Sequence, residues 1–199
     1  EVFRREIRQM EGGWYSANAI KMSKSRLQRL GFVDKVRLEE VQVAGTSNQV
    51  DVNIMIEEKQ SGSFSVGAGF GGDGIALDVG ISQDNFLGFG SKVAFNINTA
   101  KTTTAYGFNF YNPYHNLDNV SRSFGFSLQE TNTDNSDKQS SFESDRTVLN
   151  YTYGIPMTEN NRFNLTLKYL GWDLRASTSS ALEITDFIAT NGDSFQNFS

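Results

Sequence analysis

The sequence of 199 residues contains no cysteine, one histidine and two prolines. Without cysteine there is no disulfide framework and no thiolate metal site. With His115 as the lone histidine, a multi-histidine metal centre is excluded as well. Long apolar runs are also missing. Mean hydropathy is −0.43, and no stretch approaches the roughly 20 apolar residues of a membrane-spanning helix. A transmembrane β-barrel survives that exclusion, because its strands alternate apolar with polar residues and never accumulate a hydrophobic run. Concentrated positive charge is lacking too. Residues 1–60 hold 10 Lys/Arg against 9 Asp/Glu, a net of +1, and residues 61–199 hold 8 against 14, a net of −6. Nine of the basic residues lie before position 38, too few and too mixed with acids for a nucleic-acid footprint, so no nucleic-acid partner is expected. The chain starts at Glu1 without an initiator Met or a leader segment and is expected to be a piece of a longer protein.

What the chain has in quantity is glycine, 18 residues, and phenylalanine, 16. Their placement divides it at about residue 60. Residues 1–31 have helical period. Val2, Ile7 and Met10 predict a first helix, and after Gly12-Gly13 the hydroxyl of Ser16 is placed to cap a second. In that second helix Ala19, Ile20, Met22, Leu27 and Leu30 form the apolar face, and Gly31 sits where a left-handed C-terminal residue is expected. The period then changes to two. Phe32–Val43 and Gln49–Glu57 read as strands joined by a hairpin loop at Gly45-Thr46-Ser47-Asn48, with Val50, Val52, Ile54 and Ile56 on one face. Residues 1–60 therefore predict a small α+β domain, short for an independent core.

From Ser63 the period is two almost everywhere, and seven strands are expected. Phe64, Val66, Ala68 and Phe70 alternate with Ser63, Ser65, Gly67 and Gly69. Later strands repeat the pattern, as in Val93, Phe95 and Ile97 against Ala94, Asn96 and Asn98, or Phe163, Leu165, Leu167 and Tyr169 against Asn164, Thr166 and Lys168. The connections at 71–74, 84–90, 112–120 and 156–161 are short to moderate, whereas the fifth, about 133–144, and the seventh, from about 176, are long. In an up-and-down sheet both long loops fall on one side, the asymmetry of outer-membrane barrels. A soluble sandwich or lipocalin-like barrel also gives period-two strands. Aromatic residues near strand ends, a Gly/Ser/Asn/Thr face in place of a Lys/Glu one, and long strands favour the membrane barrel. Seven is an odd number, so the barrel is expected to continue beyond Ser199.

Catalytic chemistry finds little to stand on. His115 follows Pro113-Tyr114 in a turn and has no nucleophile–acid pattern around it. The glycines of 67–72 resemble a phosphate loop but sit in a strand with no helix after it, so that motif fails its context. No enzyme activity, cofactor or metal is expected. The first strand is more informative: small residues leave its backbone accessible, and an edge strand exposes N–H and C=O groups that template another strand. The plainer alternative is that its glycines relieve crowding in a curved wall.

Several stretches, in chain order, resemble the BamA family of outer-membrane protein assembly factors. Residues 2–14, VFRREIRQMEGGW, and 26–32, RLQRLGF, look like the last POTRA domain of that family. Residues 62–71, GSFSVGAGFG, look like its first barrel strand, and 83–90, QDNFLGFG, with Asn112-Pro113-Tyr114, like its first periplasmic turns. The resemblance covers about 1–175. It implies a partial POTRA domain over 1–60, lacking its first strand, and the N-terminal seven strands of a sixteen-stranded transmembrane barrel over 61–199. It implies a cell outer-membrane location with the N-terminal domain in the periplasm, unfolded outer-membrane proteins as clients, and BamD-like and other BAM lipoproteins as partners. It also implies a lateral gate, with client strands adding at Ser63, Phe64, Ser65, Val66, Gly67, Ala68, Gly69 and Phe70. Lipoprotein docking would fall on Arg4, Arg8 and Glu11, spaced as one helical stripe, and on Arg5. Two-partner secretion transporters and TamA share the architecture; a transporter that passes or inserts an exported polypeptide is the alternative, with lumen-facing Asn96, Asn98 and Asn109 as its contacts.

Overall fold

The computed structural model describes residues 2–71, 74–116, 118–133, 141–158, 161–177 and 179–199. Parts of the first, fourth, fifth, sixth and seventh connections read from the sequence lie outside these residues. The chain forms two units, residues 1–61 with the turn 87–89, and residues 62–86 with 90–199.

In the first unit the expected first helix is reduced to a single 3-10 turn at Arg4–Glu6. The chain leaves that turn because Ile7 is extended, and the Arg8 N–H donates to Ser23 Oγ at 2.7 Å rather than to a helical carbonyl. The second helix is present as α1, Ala17–Gln28, and Ser16 caps it by accepting the Ala19 N–H. Its C-terminus differs from expectation. Arg29 is the cap in right-handed conformation, and Gly31 has no left-handed φ, because the chain tightens through Leu30 N–H to Leu27 C=O and turns directly into the first strand. That strand, β1 (Val33–Gln42), pairs antiparallel with β2 (Val50–Glu58). The core is Leu27, Phe32, Val33 and Val36, with Val2, Phe3, Leu30, Ile54 and Ile56 against it. The Phe3 and Phe32 rings lie 5.9 Å apart. A buried ion pair, Arg26 Nε to Glu6 Oε2 at 2.9 Å, ties the N-terminal segment to α1.

The second unit is one antiparallel meander. All seven expected strands are present: β3 (Gly62–Gly71), β4 (Gly74–Phe86), β5 (Ser91–Thr99), β6 (Thr103–Asn112), β7 (Ser121–Asn132), β8 (Phe142–Pro156) and β9 (Arg162–Ala176). The seventh connection holds more than a loop. It contains helix α2, Leu182–Asn191, followed by an eighth strand, β10, Ser194–Phe198, paired to β9. The sheet runs β3 to β10 in chain order, so β3 and β10 are its edges.

Register explains the alternation. Phe64, Ile81, Phe95, Phe108, Phe126, Leu149, Tyr169 and Phe198 are successive cross-strand partners, one apolar rung across all eight strands. A parallel rung on the other face runs Ser65, Gly80, Asn96, Gly107, Ser127 and Val148. No second layer covers the apolar face: among the described residues of this unit only Val120 and Leu174 are buried hydrophobics. A soluble sandwich would bury such a face, whereas a membrane barrel presents it to lipid. Near the odd-connection end of β8 and β9 the polarity exchanges. Beyond Tyr169 the apolar face carries Asp173 and Arg175, and Arg175 bridges Glu143 and Asp145 at 3.8 and 3.2 Å. The opposite face there becomes apolar, with the Trp172 and Phe195 rings tilted at 44° and 5.8 Å apart, and Phe187 of α2 at 5.6 Å from Phe195.

Candidate functional site

The strand read as the gate is an edge strand in the structure. All ten residues of β3 are exposed, including Ser63, Phe64, Ser65, Val66, Gly67, Ala68, Gly69 and Phe70. One side of β3 is fully laddered to β4, from Gly62–Gln83 to Gly71–Gly74. Among the described residues no strand pairs along its other side, toward which the alternate backbone groups of β3 point. Ser63 Oγ lies 2.7 Å from Ser82 Oγ and Ser65 Oγ reaches the Gly80 carbonyl at 3.5 Å, so these hydroxyls turn toward β4.

The glycines of the sheet fall into two groups. At Gly107, Gly125 and Gly154 a Cβ would collide with the side chains of Asn96, Asn150 and Asn164, which lie over them. These glycines serve packing. At Gly69 and Gly71 an added Cβ would meet nothing within 4 Å, and at Gly67 only Asp78 Cβ at an ordinary 3.7 Å. Gly62 is crowded by Gln83 Oε1, 2.8 Å from where its Cβ would lie, so freedom from crowding within β3 belongs to Gly67, Gly69 and Gly71.

In the first unit the candidate docking residues are not a helical stripe. Arg4 Nη2 nonetheless donates to both carboxylate oxygens of Glu11, at 2.6 and 2.8 Å, across the segment that follows the 3-10 turn. Arg8 Nη1 donates to the Arg5 carbonyl at 3.1 Å, and Arg5 Nη2 to the Phe89 carbonyl at 3.3 Å. The structure thus joins Arg4 with Glu11 and turns Arg8 and Arg5 to backbone oxygens. Close to Glu11 in sequence are two residues that sequence pattern did not single out as contacts. Met10 is 79% exposed and Trp14 is 98% exposed. Gln9 holds this turn: Nε2 donates to the Met10 and Trp14 carbonyls, and Oε1 accepts the Ser16 N–H. The sequence signal was a tryptophan immediately after two glycines, a context in which a core role is hard to build. Nearby, the Tyr15 hydroxyl donates to Glu40 at 2.6 Å, and that bond, with the carboxylate charge, holds the phenol pKa above its ordinary value. Lys35 is likewise raised, chiefly by its bond to Glu57 at 3.2 Å.

Family models match both units. The Omp85 superfamily domain matches residues 85–199, and the POTRA model, described as a surface antigen variable number repeat, matches residues 1–59. The chain belongs to the Omp85 superfamily.

Among curated relatives, this Omp85 chain is 32% identical over 196 residues to the outer membrane protein assembly factor BamA of Neisseria meningitidis serogroup B. The match covers 96% of this chain and 24% of that protein. It is 30% identical over 118 residues to BamA of Buchnera aphidicola, covering 56% and 19%. The chain therefore spans about a quarter or less of the length of these relatives. Among solved structures it matches BamA of Haemophilus ducreyi lacking POTRA domains 1–3, with TM-score 0.76 and 30% identity, over 100% of this chain and 39% of that one. It also matches CdiB from Acinetobacter baumannii with TM-score 0.57 and 9% identity, over 85% and 35%, a likeness of fold alone.

Proposed function

We propose that the chain is the gate-bearing part of an outer-membrane β-barrel assembly factor, with residues 1–60 in the periplasm and the sheet in the outer membrane. Its work is non-enzymatic: it templates client strands at the open edge of β3. The observation that carries this reading is the uncrowded glycine run of that edge. Gly67, Gly69 and Gly71 have no neighbour that demands their small size, whereas the interior glycines do. Small side chains at an unpaired edge leave the backbone approachable, and backbone hydrogen bonds accept many client sequences. In hydrocarbon a bare edge is costly, so client strands exchange in step with the seam and never leave it open. The BamA relatives support assembly of outer-membrane proteins as the activity.

Partner docking belongs to the same reading. The Arg4–Glu11 pair, with Arg5 and Arg8 beside it, offers a lipoprotein of the BamD type both signs of charge, and Trp14 offers an apolar anchor of the kind that dominates interfaces.

These 199 residues carry no cysteine, so a thiol introduced among them is unique there, and any cysteine elsewhere in the full-length protein is first replaced by serine. A Ser65→Cys variant of the full-length protein is paired with a single cysteine in the last strand of a client barrel, and disulfide formation is followed in native membranes during assembly. The expected result is a crosslink confined to one register. Efficient crosslinking from Asn96→Cys on the polar face with none from position 65 would favour a secretion pore that passes its substrate through the lumen.

A further inference from the structure

The turn between β4 and β5 is built at a conformational cost, and the Arg5 guanidinium donates to its Phe89 carbonyl at 3.3 Å, leaving the Leu87 and Phe89 side chains exposed. Four of its residues are left-handed: Asn85 and Leu87 at φ +54°, Gly88 at +78° and Gly90 at +73°. A left-handed leucine is disfavoured, and glycine would adopt the same backbone freely. The shape is nevertheless fixed. Asn85 Oδ1 accepts the Gly90 N–H at 2.8 Å, and Lys92 and Asp84 close the base at 3.1 Å. The turn thereby presents Leu87, 75% exposed, and Phe89, 65% exposed. Phe86 pairs with Ser91, in phase with Val93 and Phe95, so β4 carries the apolar face up to the start of the turn. The third connection, a comparably tight turn at the opposite strand ends, carries Ala100, Lys101 and Thr102 and no large apolar residue. Exposed apolar bulk at one end of the sheet, continuous with a lipid-type face, fits the boundary between headgroups and acyl chains.

We infer that the 84–90 turn is a lipid-seated wedge, with Leu87 and Phe89 inserted into the membrane interface on the even-connection side. This rests on the transmembrane reading of the sheet and adds a second kind of lipid contact to it. The occupant is a phospholipid interface. Rigid left-handed geometry aims both side chains without relying on a flexible loop, and lipid removes their contact with water.

Cysteine is introduced in place of Leu87, Phe89, Leu165 and Lys101, one at a time, in the full-length protein. Each variant carries a nitroxide and is reconstituted in phosphatidylethanolamine–phosphatidylglycerol vesicles. Collision with oxygen is compared with collision with a water-soluble nickel chelate. Labels at 87 and 89 are expected to match Leu165, the lipid-facing reference, with oxygen dominating, and to differ from Lys101, where the chelate dominates. Phe89 lacks the left-handed φ and gives a reading even if the Leu87 variant folds poorly. Chelate access at 87 and 89 with oxygen preference at 165 overturns the wedge and leaves the membrane reading standing. Labels shielded from both reagents overturn it in favour of a protein contact. Chelate access at 165 itself removes the membrane reading, and the wedge with it.

Discussion

The side-chain amide of Asn150 lies over Gly125, in the space that a methyl group would need. Asn96 stands in the same relation to Gly107. Substituting Gly125→Ala is therefore expected to displace Asn150 and destabilise the sheet by about 1–3 kcal/mol, the usual cost of overpacking. Gly69→Ala, with open space at its Cβ, is expected to leave stability unchanged. Urea unfolding of the reconstituted variants separates the two; equal losses would mean that β3 is packed like the interior strands.

Proline sharpens the edge hypothesis. N–H groups two residues apart point the same way in a strand, so Gly67→Pro and Gly69→Pro share one phase and Ala68→Pro has the other. One phase removes a donor from the β3–β4 ladder, and the other removes a donor from the open edge. The phase that spares the ladder is expected to fold normally and to assemble clients poorly, read as the fraction of a client barrel reaching its heat-resistant form. Normal assembly with proline in both phases would sink strand templating at β3.

The exposed Arg4–Glu11 pair contributes little to folding, since surface pairs are worth roughly 0–1 kcal/mol. Glu11→Ala or Trp14→Ala is thus expected to leave the melting curve in place. Either is expected to weaken capture of the proposed lipoprotein partner about tenfold, the equivalent of about 1.4 kcal/mol. Undiminished capture by the double variant would remove this surface from the docking site.

The buried Glu6–Arg26 pair behaves differently. Glu6→Ala removes the carboxylate that the half-buried Arg26 meets at 2.9 Å, at a cost of about 1–3 kcal/mol. Loss of protease resistance at the N-terminal segment, ahead of the sheet, is the expected sign. Retained resistance would show that the segment is held by Phe3 against Phe32 instead.

Tyr15 supplies a pH dependence. Its folded pKa is raised by the bond to Glu40 and by that carboxylate's charge, so folding favours the protonated phenol. The stabilisation is fully present below the unfolded-state value near 10 and is lost as pH rises through the higher folded value. Alkaline absorbance titration is expected to lose, in Tyr15→Phe, a phenol that titrates above its ordinary value. An unchanged titration would mean the bond does not persist in solution.

The strands were legible because period two survives any tertiary detail: each rung, such as Phe95–Phe108–Phe126, is written in spacing alone. Helix α2 was not. It is a single ten-residue element, no side chain caps its start at Ala181, and its anchor is Phe187 against Phe195, a contact that exists only after β10 has paired. The first helix failed for the opposite reason. Val2, Ile7 and Met10 have helical spacing, but Ser23, 15 residues away from Arg8, takes the N–H that a helix needs. At the edge strand the glycines were visible, while their freedom from crowding depended on which side chains lie across from them. Trp14 was visible too, yet its exposure follows from Gln9 holding the turn open.

Under the proposed templating, the eight-membered apolar rung would also fix what an arriving strand must look like. A strand laid against β3 would inherit the pleat at Phe64, and a slip of one residue would exchange its polar and apolar faces. Such an edge would discriminate by phase: it would accept any alternating message read in the correct frame and discard the same message read one letter out of step.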